Sequence, residues 1–354
     1  MTGIASLPRK IEGVKVGVTL RERADGTFKV SLRTYAPVDA SAICAKMGGG
    51  GHARAAGCDF SADYADGKKQ LLEIIKTELE KSMTGFICID KPENMTSFTA
   101  ANLVKRITGS KKAGHTGTLD PMATGVLTVA LSGATRFIEL IPDHEKSYTA
   151  RILLGVTTDT LDITGTVTGS FPVSVTSCEA KEAALSFYGE QLQTPPMYSA
   201  VSKDGVRLYD LARQGKEIER EKRKINITEI RAYDFSDNEF SIDVTCSAGT
   251  YIRSLADDIG KKLGCGAVLK SLRRTKANGF STDDCITIEK LREICENGEL
   301  GNYVMPVSRV LSQYKEVHVT AAQAVRFKNG GELFLDRIGN PKGDGFFQSF
   351  FAGE

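Results

Sequence analysis

The sequence predicts a mixed α/β protein built in more than one piece. Apolar runs of strand length alternate with stretches of helical spacing along most of the chain. The first 82 residues read as a self-contained unit with a fresh start at Met83, and 354 residues suffice for two or three domains with a sizeable core.

Taken in order, residues 13 to 35 alternate apolar and polar positions in two runs, Val14 to Leu20 and Thr27 to Arg33. Ala24-Asp25-Gly26 separates them, which predicts a β-hairpin. A short helix is expected around Ala40 to Lys46. The glycines from Gly48 to Gly51 expose consecutive backbone N–H groups that can form an anion nest, with His52 and Arg54 adding donors; a flexible turn is the plain alternative. Leu71, Leu72, Ile74, Ile75 and Leu79 fall largely at helical spacing and give the first unit a terminal helix between Asp66 and Ser82.

Beyond Met83, Phe86 to Ile89 reads as a strand, with Ser97 as the cap of a helix reaching about Ile107. Val126 to Leu131 is a strand, Thr135 to Ile141 a short helix and Tyr148 to Leu154 an alternating strand. Further strands are expected near 225 to 235 and 239 to 246, with helices over 251 to 263 and from Ile288 to Cys295. The tail from Val317 has β-like Val and Phe positions and a turn at Asn329-Gly330-Gly331. The chain thus divides into residues 1–82, 83–312 and a short β-rich module at 313–354.

Composition narrows the class. Hydrophobic content of 41% and charged content of 25% are those of an ordinary globular protein, and no apolar run approaches the ~20 residues of a membrane span. The stretch Met1 to Lys10 has no charged-then-apolar signal pattern, so the cytoplasm is the expected compartment. Eight scattered cysteines without a Cys-x-x-Cys pair speak for reduced thiols and against a disulfide framework or thiolate zinc site. The net charge of +2 is low for a nucleic-acid binder. Basic residues nevertheless cluster at Lys105, Arg106, Lys111 and Lys112, at Arg220, Lys222, Arg223 and Lys224, and at Lys261, Lys262, Lys270, Arg273, Arg274 and Lys276. Such clusters, flanking a candidate site, suit phosphate contacts, although each taken singly reads more readily as a solvated face.

The most informative stretch is Gly114-His115-Thr116-Gly117-Thr118-Leu119-Asp120-Pro121-Met122-Ala123-Thr124-Gly125. Pro121 biases Asp120 away from the helical region, and the glycines let the backbone approach a ligand closely. Alone, an Asp-Pro turn is ordinary turn chemistry. Downstream lie Lys146-Ser-Tyr148-Thr-Ala-Arg151, Thr158-Asp159-Thr160-Leu161-Asp162, Gly249-Thr250-Tyr251-Ile252-Arg253 and Leu272-Arg273-Arg274. Ile89-Asp90-Lys91-Pro92 opens the series, and Pro195-Pro196-Met197-Tyr198-Ser199-Ala200 falls within it.

From Gly85 to about Arg274, these motifs in this order resemble the TruB family of tRNA pseudouridine-55 synthases. The resemblance implies an α+β catalytic domain with a mixed, largely antiparallel sheet, followed by a small PUA-like or TruB C-terminal module. It implies isomerisation of one T-loop uridine of tRNA without cofactor or metal, and without an obligatory protein partner. Asp120 would be the catalytic carboxylate, Arg253 its clamp and Tyr148 the ring lying against the flipped base. Tyr251 and Leu272 would line the uracil pocket, and His115 would wedge into the T loop.

The residues alone leave plainer readings open. Tyr148 also suits a core tyrosine on a strand, and Arg253 a surface pair with Asp257 at i+4. His115 suits ordinary loop polarity, and the four histidines at 52, 115, 144 and 318 have no ligand spacing. The run Gly49-Gly50-Gly51-His52 resembles the DHH-associated domain of phosphoesterases that cut short oligonucleotides, which would make it a nucleotide-binding segment. The competing function is accordingly an oligonucleotide phosphodiesterase fragment fused to a tRNA-binding chaperone. The Asp and His metal clusters that such hydrolysis needs are missing from the sequence, whereas Asp120, Tyr148 and Arg253 are in place.

Overall fold

The fold was analysed in a computed structural model, which describes residues 11, 14–35, 38–60, 63–81, 83–141, 145–199, 202–203, 206–207, 218–332, 334 and 347–350. The N-terminal stretch Met1 to Lys10, His144, Ala200 and the last residues from Phe351 lie outside these.

The first sheet is built from β1 (Val16–Glu22), β2 (Phe28–Thr34), β3 (Gly50–His52) and β4 (Ala55–Phe60) in the order β1-β2-β4-β3, all antiparallel. The expected hairpin is β1–β2, and the Asp25 carboxylate closes its turn by accepting from Thr27 N at 3.0 Å. Helix α1 (Ala40–Ala45) is capped by Asp39, and α2 (Tyr64–Lys81) follows β4. Val30, Leu32, Ile43, Cys44, Cys58, Leu71 and Ile75 form a core drawn entirely from this part of the chain.

The glycine run departs from the nest. Gly48 and Gly49 donate their N–H groups to Ala45 and Cys44 carbonyls, closing the end of α1, while Gly50 to His52 form the edge strand β3. Glycine is needed there for packing: a Cβ on Gly49 would lie 2.3 Å from Gly57 O, and one on Gly51 2.6 Å from Ala56 Cα. The N–H groups of Gly48 and Gly49 are thus spent on the end of α1, while β3 has a ladder partner on one side only.

The second sheet starts at Gly85. Its strands are β5 (Gly85–Lys91), β6 (Ala113–His115), β7 (Thr124–Leu131) and β8 (Lys146–Leu154), with α3 (Ser97–Ile107) between β5 and β6. The hairpin β9 (Val156–Thr158) and β10 (Val167–Ser170) leads to α4 (Ser177–Leu185) and β11 (Gly189–Gln193). After the short ladder β12 (Ser202–Lys203) and β13 (Val206–Arg207) come β14 (Arg223–Ser236), β15 (Glu239–Cys246), α5 (Ile252–Leu263), β16 (Ala267–Ala277) and β17 (Phe280–Ser281).

The order is β11-β14-β15-β8-β16-β7-β5, with β6 on β7 and β17 on β16. Only β16 and β7 pair in parallel, so the sheet is mixed and largely antiparallel as expected. Helices α4 and α5 cover one half. Helices α3 and α6 (Ile288–Glu296) pack on Ile87, Ile89, Leu127 and Val129, and the 3-10 turn Ser132–Leu140 lies with Phe86, Val126 and Phe280 in a further cluster. Each such fully buried side chain contributes about 1.5–3 kcal/mol.

Two features differ from expectation, the cap of α3 and a helix within the tail. Thr96, rather than Ser97, caps α3, accepting from Thr99 N at 3.0 Å. The tail, after α7 (Val307–Val310), carries β18 (Lys315–His318) and then helix α8 (Ala321–Lys328), closed by a Thr320–Gln323 capping box. Strand β19 (Phe347–Phe350) pairs in parallel with β18. Among the described residues, no helix is long and apolar enough to cross a membrane.

Candidate active site

The loop joining β6 to β7 carries Asp120, and neighbouring elements hold it from several sides. Ser97 Oγ, released from capping duty, accepts from Leu119 N at 2.8 Å and donates to Leu119 O at 3.1 Å. Lys91, fully buried at the end of β5, donates to the carbonyls of Pro92, Met95 and Pro121 at 2.9, 2.6 and 3.3 Å. Burial pulls the Lys91 ammonium down to about 8, against the opposing pull of Asp120. Ala123 N closes the Asp-Pro turn on Asp120 O at 3.0 Å.

Arg253 lies in the first turn of α5. Its Nε donates to Asp120 Oδ2 at 2.8 Å and its Nη2 to Asp120 Oδ1 at 2.9 Å, a bidentate fork on one carboxylate. The remaining donors reach Thr160 O at 3.1 Å and Tyr198 O at 2.9 Å, so the 5% exposed guanidinium is tied to three segments. Buried Asp162 stands 3.7 Å behind Nε and is itself held by Thr160 Oγ1 and by Thr164 N and Oγ1. Asp257, the surface partner that spacing allows, pairs instead with Lys261 at 2.6 Å. The start of α5 is placed by Gln193, whose amide accepts from Tyr251 N at 2.8 Å and donates to Tyr251 O at 3.0 Å.

Tyr148 on β8 is buried opposite Val244 and Arg274, in the same apolar cluster as Leu119, Ile252 and Leu272. Burial pushes its hydroxyl up to about 12, while the Arg274 charge pulls the other way. The phenol folded is then protonated where an unfolded one, near 10, has begun to ionise. The folded state binds more protons between pH 10 and 12, and stability is lost as pH rises through that window. A difference of that size corresponds to roughly 3 kcal/mol. Denaturant unfolding at pH 8 and 11.5 is expected to show a loss of that order, and Tyr148→Phe is expected to remove that component; an identical pH dependence in both proteins would contradict this.

His115 on β6 is half-buried, and burial together with the Arg274 charge lowers its pKa. Its Nδ1 is enclosed without a protein hydrogen-bond partner. Tyr251 sits two residues before Arg253, partly exposed. The structure brings Arg253 onto Asp120 and packs Tyr148 and Leu272 with Leu119 of the same loop; His115 lies on β6 at the loop's start and Tyr251 at the N-terminus of α5, whereas Gly50 to His52 belong to the other sheet.

The basic cluster near 270 is divided between buried, paired and exposed residues, with Lys261, Lys262 and Lys276 exposed. Arg274 is buried, Arg273 forms a bidentate pair with Asp90 at 3.0 and 2.8 Å, and Lys270 pairs with Glu239. Arg106, Lys111 and Lys112, ahead of the Asp120 loop, are exposed. Among the described residues, no group of three or more His, Cys, Asp or Glu converges as metal ligands do. The sequence does not single out Lys91, Asp162, Gln193 or Arg274 as parts of the site, nor Ser97 as more than a helix cap. Lys91, Asp162 and Arg274 stand inside the motifs, but nothing local marks any of the five as buried.

Comparison with known proteins places the fold and the family. The large sheet has the pseudouridine synthase fold. The structure of a Cbf5-Nop10-Gar1 complex superposes with a TM-score of 0.58 at 27% identity, over 74% of this chain and 71% of that one. An archaeal box H/ACA sRNP Nop10-Cbf5 complex gives 0.56 at 25% identity, with 74% and 71% covered.

The family model for the TruB family pseudouridylate synthase N-terminal domain matches residues 105–252, and that for the tRNA pseudouridylate synthase B C-terminal domain residues 253–312. A DHHA1 domain model matches residues 1–81. The tRNA pseudouridine synthase B of Clostridium tetani (strain Massachusetts / E88) is 44% identical over 261 residues, 72% of this chain and 89% of that protein. Its counterpart in Azoarcus sp. (strain BH72) is 44% identical over 249 residues, covering 70% and 83%. The chain belongs to the TruB family of pseudouridine synthases and carries a DHHA1 domain at its N-terminus.

Proposed function

We propose that this protein isomerises the T-loop uridine of tRNA to pseudouridine, with Asp120 as the reacting carboxylate. The observation that carries the reading is the fork of Arg253 on Asp120, which fixes both carboxylate oxygens in the loop whose Leu119 packs with Tyr148. The reaction breaks the N1–C1′ bond, turns the base, joins C5 to C1′, releases the C5 hydrogen as a proton and leaves N1 to take up a proton, so that the product is an isomer of uridine. Asp120 serves either as the nucleophile at sugar or base or as the base that removes a sugar proton; both routes give the same balance. The flipped uracil loses its stacking at a cost of a few kcal/mol, which the Tyr148 ring offsets, and Tyr251 and Leu272 close the pocket. His115 wedges into the T loop, and exposed Arg106, Lys111 and Lys112 meet phosphates.

No cofactor, metal ion or obligatory protein partner enters this scheme, and the cytoplasm is its setting. Tritium release from tRNA labelled at uracil C5 is expected in chelator as in its absence, with spermidine maintaining tRNA folding. Turnover lost in chelator and restored by a divalent ion but not by spermidine would overturn it.

Residues 1–82 and the region from Met83 are proposed as separate units, with 313–354 as the C-terminal module. The first core uses residues up to Leu79, and the others begin at Met83. One bond that crosses is exposed, Lys76 Nζ to Asn297 O at 3.1 Å. A chain beginning at Met83 is expected to fold and to retain near-full turnover. Insolubility, or a fall beyond about a hundredfold (~2.7 kcal/mol), would make the N-terminal unit integral to the enzyme.

A further inference from the structure

We propose that Arg274 is a positioning residue for the isomerisation, its buried guanidinium setting the loop that carries Asp120 and the ring that faces it. The inference rests on Asp120 being the reacting carboxylate.

Arg274 is 2% exposed, yet among the described residues it forms no ion pair with a carboxylate. Its donors go to backbone carbonyls on both sides of Asp120. Nε donates to Val126 O at 2.8 Å, Nη1 to Thr118 O and Nη2 to Gly117 O, each at 3.2 Å. On β16, Arg274 also stands opposite Tyr148 of β8 in the ladder. One planar group thus ties the entry to the loop to its exit, from a strand position facing that of Tyr148.

The backbone is locked at the same place. Strand β16 pairs in parallel with β7 through Arg273 and Arg274, opposite Thr124 and Gly125. Gly125 has φ +102°, and a Cβ there would lie 2.2 Å from Arg274 O and 2.9 Å from Arg274 N. The approach is close enough that glycine alone fits, so the loop exit cannot shift independently of Arg274.

A buried charge is costly, and holding carbonyls together does not by itself require a guanidinium. Lys91 does that work in the same region, its ammonium gathering three carbonyls. What arginine adds is a rigid planar fork with fixed directions. Arg274→Lys separates the two roles, because it keeps the charge and a carbonyl-binding head while losing the fork.

The test compares Arg274→Lys with the wild type by single-turnover tritium release at saturating tRNA, normalised to folded protein by circular dichroism and thermal unfolding. Misplacement of reacting groups by about 1 Å can cost on the order of a hundredfold. The expected result is a folded variant, tRNA affinity within about threefold and a rate constant lower by that order, so that the loss is in kcat and not in KM. A folded variant with a rate within about threefold of wild type would overturn the proposal, as would a loss confined to affinity. Loss of folding in Arg274→Lys would overturn it as well, by assigning the guanidinium to stability. A wild-type protein that releases no tritium would instead refute the functional reading itself.

Discussion

Asp120→Asn is expected to abolish pseudouridine formation while leaving tRNA affinity within about tenfold, or ~1.4 kcal/mol. The substitution keeps the size of the side chain and its place in the Asp-Pro turn, which Ser97 and Lys91 hold through the neighbouring backbone. It removes the negative charge and turns an amide toward the Arg253 donors, which a carboxylate alone satisfies twice. Affinity should persist because it comes mainly from phosphate and shape contacts outside the loop. Equilibrium binding and single-turnover rates measured on the same preparation check this. A rate near wild type with normal binding would remove Asp120 from the chemistry.

Arg253→Lys is expected to lower turnover by more than about a hundredfold, ~2.7 kcal/mol of transition-state stabilisation. An ammonium cannot span both Asp120 oxygens and also reach Thr160 O and Tyr198 O, the four contacts the guanidinium makes. Each carbonyl left unpaired in this buried setting costs about 1–3 kcal/mol, so the melting temperature should fall together with the rate. Asp162 sharpens the expectation, since it would remain a buried carboxylate beside a shorter-reaching cation. A variant with a loss below about threefold and unchanged stability would show that the pair is not a clamp.

Local chemistry accounts for what the sequence disclosed. The β1–β2 hairpin follows from alternation around an Asp-Gly turn, and α5 and α6 follow from apolar spacing. The Asp120 loop was visible because proline and glycine are rare signals in one place. Strand β16, by contrast, lies at the heart of the sheet yet carries Lys270, Arg273, Arg274 and Lys276, and two register shifts against β8 break its alternation. Charge made it read as a surface patch.

Arg274 could not be placed from its neighbours, because the carbonyls it satisfies lie 148 to 157 residues away in sequence. The same holds for Arg253, whose choice between Asp120 and Asp257 depends on the sheet bringing together residues 133 apart. At the glycine run, a local signal was strong but ambiguous, since close packing and exposed N–H groups both favour glycine; tertiary contact with β4 decided for packing. Thr96 and Ser97 are both competent caps by type. The α3 N-terminus takes the first and the Asp120 loop takes the second.

The central claim is that Asp120, held by Arg253, converts one T-loop uridine of tRNA. The most direct measurement incubates the purified protein with unmodified tRNA transcript and maps pseudouridine at nucleotide resolution by carbodiimide labelling and primer extension. A single new stop at the T-loop uridine, present with the wild-type protein and absent with Asp120→Asn, is the predicted result; no stop with the wild type, or an undiminished stop with Asp120→Asn, would contradict the account.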